Sequence, residues 1–67
     1  MNANPILLQK KYARIIVILS EDMGISLSEA LSMFYESVTY EIVSEGIADM
    51  HCMSDTYIAH EVEEEYL

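Results

Sequence analysis

The chain is 67 residues long and sets 12 carboxylates against 3 basic residues, for a net charge of -9. A field of that sign repels phosphate backbones and anionic membranes, which excludes both as expected partners and leaves basic protein surfaces. The length supports one domain, and a chain this short buries only ~60% of the surface its unfolded form exposes.

Other composition features follow from that size. Cys52 is the single cysteine, so no internal disulfide can staple the fold. A hydrophobic fraction of 52% is high for so small a protein and points to help from a second chain, hence to a homo-oligomer or another protein partner. The apolar run Ile15–Leu19 falls short of the ~7–15-residue core of a signal peptide and of the ~20 residues that cross a bilayer. With one unpaired thiol, the expectation is a soluble, cytoplasmic protein.

The elements follow in chain order. Asn4-Pro5 is a helix start, because asparagine caps well and proline fits the first helical position. The next turn signal is Gly24, so the first helix is predicted from Pro5 to Met23, with Leu8, Tyr12, Ile15, Ile16, Leu19 and Met23 facing inward. Ser26-Leu27-Ser28-Glu29 spells a capping box, with Ile25 and Ala30 at the staple positions. The second helix is then expected to bury Leu27, Ala30, Leu31 and Phe34. Ser37 caps a short third helix after a break near Glu36–Ser37, although Val38 and Ile42 would also continue the stripe of the second helix; the third stops at Gly46 with Ile42 and Ile47 spaced for an apolar contact across the stop. Ile47–Met53 reads as an irregular connection. Ser54 caps a last helix, with Asp55 in its first turn against the helix dipole and Ile58, Val62 and Tyr66 facing inward. Glu63, Glu64 and Glu65 crowd the negative end of that dipole, so the last turn is expected to fray. The fold class is all-α: one domain over 1–67, a compact bundle of three to four short helices, frayed at about 1–4 and 64–67.

No catalytic, cofactor or metal site is assigned. His51, Cys52, Asp55 and His60 lie within ten residues, but two are adjacent and His60 falls on a separate helix, a poor ligand spacing. Cys52 beside His51 could form a thiolate–imidazolium pair, yet adjacent residues in an extended segment point apart and a cleft is needed as well. Gly24 and Gly46 are isolated helix stops and form no phosphate loop. A helix-turn-helix reading fails on charge, since Val38–Glu45 carries Glu41 and Glu45 and no basic residue.

Surface logic gives the better lead. Val17 and Ile18 lie among the charged residues of the first helix, which is apolar almost all round through its second half and so expected to be buried on more than one side, either against a partner or as the central helix of the bundle. On the last helix, Glu61, Glu63, Glu64 and Glu65 form a carboxylate cluster flanked by Tyr57 and Tyr66 as aromatic anchors. The expected partner-binding residues are Val17, Ile18, Tyr57, Glu61, Glu64, Glu65 and Tyr66.

A resemblance adds to this. Ile25-Ser26-Leu27-Ser28-Glu29-Ala30, Met33-Phe34, His51 and Asp55-x-Tyr57-Ile58 occur in an order that resembles a small uncharacterised bacterial family, a domain of unknown function, from about Tyr12 to Val62. Members look like three- or four-helix proteins often encoded beside a toxin of ADP-ribosyltransferase type. The resemblance implies an antitoxin-like or immunity-like role, with a toxin as partner, and supplies no catalytic residue. The glycine expected between helices two and three is replaced here by Ser37-Val38. The reading is therefore a small acidic protein-binding module without chemistry of its own. The alternatives are a self-associating structural homodimer and an enzyme built on His51 and Cys52.

Overall fold

The computed structural model describes residues 5–67, which places Asn4 and the expected fraying at 1–4 outside the described residues. Four α-helices and one 3₁₀ segment follow in order: α1 Pro5–Met23, α2 Leu27–Tyr35, α3 Val38–Glu45, the 3₁₀ segment Ile47–Cys52, and α4 Asp55–Glu65. The bundle is all-α, as the periodicity requires.

Local signals set the helix boundaries. Gly24 ends α1 in the left-handed conformation (φ 64°), and the Ser20 hydroxyl holds the turn by donating to the Ile25 carbonyl at 2.6 Å. At the start of α2 the Ser26 hydroxyl accepts from the Glu29 amide at 3.0 Å, and the Glu29 carboxylate accepts from the Ser26 amide at 3.1 Å. Ser37 separates α2 from α3. Its hydroxyl accepts from the Tyr40 amide and donates to the Phe34 carbonyl, so a buried serine is satisfied on both sides. Gly46 stops α3 with φ 69° and donates its amide to the Ile42 and Val43 carbonyls. Ile47 is exposed, so backbone geometry makes this stop without a buried apolar contact.

The core forms where the four helices meet. Ile15 and Leu19 of α1, Phe34 of α2, Val43 of α3, and Ile58 and Val62 of α4 are its largest fully buried side chains. α1 is central, with its most extensive contact to α4 and the next to α2. Tyr12 lies against Phe34 and Tyr35, so α2 runs back antiparallel to α1. Four rings, Tyr12, Phe34, Tyr35 and Tyr40, lie within 4.8–6.2 Å of one another and tie α1, α2 and α3 together at one end. Tilted and edge-on ring pairs of this kind add ~0.5–1.5 kcal/mol each beyond the area they bury.

The structure corrects several expectations. Leu27 and Leu31 are not inside, being 57% and 48% exposed; α2 buries Ala30 and Phe34 instead. The inward face of α4 is Ile58, Ala59 and Val62, while Tyr66 is half exposed. The connection after α3 is a 3₁₀ segment in which Ala48 and Asp49 take left-handed backbone angles (φ 53° and 55°). The last turn of α4 is held rather than splayed by repulsion: the Glu65 carboxylate accepts from the Val38 and Thr39 amides, both at 2.9 Å, and from the Thr39 hydroxyl. These are the first two amides of α3, which have no partner within their own helix. Tyr66 adds a hydroxyl donated to the Met33 carbonyl at 3.2 Å.

Two substitutions test this account. Glu65→Ala strips the acceptor from the start of α3 and lowers stability by about 1–2 kcal/mol in urea unfolding. Gly46→Ala forces a Cβ into a left-handed turn and costs about 1 kcal/mol. A neutral result for Glu65→Ala would show that the carboxylate is solvated and α3 starts without it.

Candidate partner-binding surface

The seven residues expected to bind a partner do not share one surface. Val17 is 43% exposed on α1, whereas Ile18 is half-buried against the core. Tyr57, Glu61 and Glu64 follow at i, i+4 and i+7 on α4 and share its exposed outer face. Tyr66 stands nine residues from Tyr57, about 900° of helix, and so projects from the other side. Glu65 is engaged inside the chain at the start of α3.

What the fold builds instead is an apolar groove between α1 and α2. Ala13, Ile16 and Val17 form one wall, and Leu27, Leu31 and Ser28 form the other. The two leucines are one turn apart on α2, opposite Val17, which makes the groove a continuous strip rather than scattered side chains. Scattered exposed aliphatics are ordinary on a protein surface, but a contiguous apolar strip marks a place of contact. The sequence pointed to Val17. It could not point to Leu27 and Leu31, because their helical spacing suits a buried face equally well.

Electrostatics set the surroundings. Asp55, the first residue of α4, accepts from Lys11 Nζ at 2.8 Å and from Arg14 Nε at 2.6 Å. The Arg14 hydrogen bond, with help from Lys11, holds the Asp55 carboxyl below its usual range against the opposing effect of burial. Two of the three basic residues are thus committed to one internal carboxylate, and the rest of the charged surface is almost uniformly negative. Partial burial alone would raise the Glu65 carboxyl, but hydrogen bonds from Thr39 and Val38 overcome it and hold the group low.

His51 and Cys52 are not brought together as a reactive pair. Cys52 is exposed, while the His51 ring lies beside Gly46, where an added Cβ would sit 3.5 Å from its Cε1 and Nδ1. Both His51 ring nitrogens are buried and have no hydrogen-bond partner among the described residues. His60 stands apart from both and instead joins Asp22 and Glu63. Burial, and then the neighbouring Asp22 carboxylate, push the Glu63 carboxyl above its usual range. The i, i+3 spacing of His60 and Glu63 was legible in the sequence, but the approach of Asp22 from α1 was not.

No family model, no curated protein and no solved structure matches the chain, so the surface is interpreted from its own geometry.

The Asp55 link carries a pH signature. A carboxyl whose folded pKa lies below its unfolded value contributes fully above the unfolded value, near 3.9, and loses that contribution as pH falls through the folded one. Asp55→Asn should therefore cost about 1–2 kcal/mol at pH 7 and flatten the fall in stability below about pH 4. Urea midpoints measured from pH 7 to pH 2 read both effects. Parallel curves for variant and wild type would mean that the link adds nothing.

Proposed function

We propose that the chain is a non-catalytic protein-binding module whose α1/α2 groove receives a basic amphipathic segment of a partner protein. The observation that carries this reading is the apolar strip of Ala13, Val17, Leu27 and Leu31, left uncovered in a chain with a small core. The occupant is argued from charge. A net charge of -9 attracts a cationic helix and repels a second copy of the same chain. Tyr57, Glu61 and Glu64 on the outer face of α4 supply a separate acidic patch that steers encounter. The family resemblance extends the reading to an antitoxin-like protein that covers a basic toxin in the cytoplasm. Self-association through the same groove is the second reading, favoured by the continuity of the strip and opposed by the charge.

Salt separates the two readings. Screening weakens attraction to a cationic partner and relieves repulsion between two acidic copies. The probe is a synthetic amphipathic helix with leucines on one face and lysines on the other, titrated into the isotope-labelled chain; a peptide of scrambled face is the control. Binding should shift the methyl resonances of Val17, Leu27 and Leu31, weaken as salt rises, and fall at least tenfold in Leu31→Glu. Equal binding of the scrambled peptide, or a wild type that dimerises through these residues more strongly at high salt, would overturn the proposal.

A further inference from the structure

The geometry assigns a divalent transition-metal site of the zinc class to Asp22, His60 and Glu63, where the end of α1 meets the second half of α4. His60 and Glu63 are one turn apart on α4 and project on the same side, and Asp22 comes from the last turn of α1. One ligand atom from each lies within 4.8 Å of the other two, and His60 Nε2 is 3.9 Å from Asp22 Oδ2. Three ligands at 2.0–2.2 Å from a shared ion would stand roughly 3–4 Å apart, so side-chain rotation alone closes the site.

The charge balance of the cluster points to a cation. Glu63 Oε2 is buried and has no donor among the described residues. Among the described residues no lysine or arginine pairs with the cluster; its one cationic partner is the His60 imidazole, present as a cation only when protonated and already closer to Asp22. Two carboxylates and a partly exposed imidazole thus converge with one oxygen left over. A protonated His60 satisfies Asp22 loosely and leaves that oxygen bare. A divalent ion satisfies all three groups at once. Beside the cluster, His60, Glu63, Glu64 and Leu67 line an open cleft, with room for the waters that complete a coordination shell.

The donor set selects the metal class. One imidazole with two carboxylates suits zinc, cobalt or nickel, whereas magnesium and calcium prefer oxygen donors alone. The position also gives the ion a structural effect. Asp55 pairs with Lys11 and Arg14 at one end of the α1–α4 interface, and the metal would close the other end, where like charges now face each other. This site shares no residue with the α1/α2 groove, so it stands or falls apart from the binding role proposed above.

The test uses the full chain, stripped with a chelator and titrated with Zn²⁺ by calorimetry, with thermal melting followed by circular dichroism. One saturable site is expected, and at a free Zn²⁺ concentration of about 100 times Kd the melting temperature should rise by roughly 10–20 °C. Mg²⁺ at the same concentration should leave it unchanged. His60→Ala, whose side chain is largely exposed and whose loss leaves the core intact, should weaken binding at least tenfold, as should Asp22→Asn. His51→Ala, Cys52→Ser and Glu61→Gln should bind as the wild type does. Co²⁺ in place of Zn²⁺ should give a spectrum without a thiolate charge-transfer band. Absence of saturable binding, undiminished binding in His60→Ala, or loss of binding in Cys52→Ser would each overturn the assignment.

Discussion

α4 closes the core by lying against both α1 and α3, and carboxylates at its two ends fix it there. At the start, Asp55 draws Lys11 and Arg14 from α1; at the end, Glu65 reaches the free amides of α3. The two links differ in kind. Asp55 meets formal positive charges, whereas Glu65 meets peptide N–H groups and the partial positive charge of a helix start. Both convert part of an unfavourable surplus of negative charge into contacts that specify where α4 sits. Without them, Ile58, Ala59 and Val62 would still favour burial, but little would choose the register of α4 along α1.

How much of this was legible in the sequence depends on the range of each interaction. Gly24, Ser26, Glu29, Ser37, Gly46 and Ser54 act on backbone groups within a few residues, and they place the internal helix boundaries that the structure shows, from the end of α1 to the start of α4. The inward face of α1 was equally plain, because nineteen residues give the apolar period time to declare itself. α2 has nine residues, and both sides of it are apolar enough to compete. Ala30 and Phe34 won the core because the aromatic group of Tyr12, Tyr35 and Tyr40 gathers around Phe34, which turns Leu27 and Leu31 outward. Glu65 illustrates the same limit. Repulsion from Glu63 and Glu64 is visible in the sequence, but the amides that outweigh it belong to a helix twenty-six residues earlier.

The weak segment of the fold is the connection between α3 and α4. Ala48 and Asp49 hold left-handed backbone angles without the freedom of glycine, and such residues cost of order 1–3 kcal/mol each. His51 in the same stretch keeps both ring nitrogens from water without a partner among the described residues. None of the residues of the 3₁₀ segment is fully buried, and only Met50 packs partly against the core, so limited packing offsets that strain. Local opening is therefore cheapest here. Such opening need not disturb the α1/α2 groove, since α1 and α2 contact each other directly and their connection at Gly24 is closed by its own hydrogen bonds.

Charge and apolar surface divide the work of recognition between different sides of the molecule. The groove supplies area that gains by leaving water, at about 25 cal/mol per Å² of apolar surface removed, but area of that kind is indifferent to partner identity. The negative field is selective but weak at contact, since exposed ion pairs return little free energy while long-range attraction mainly raises the rate of encounter. Together they favour a partner that is apolar on one side and basic on the other. They also bear on the second copy of the chain as a partner: the groove would gain the same burial, yet each copy would bring nine uncompensated negative charges to the contact. Committing Lys11 and Arg14 to Asp55 sharpens that bias, because it neutralises within the chain two of the cations that could have bridged two copies, although Arg14 itself stays exposed.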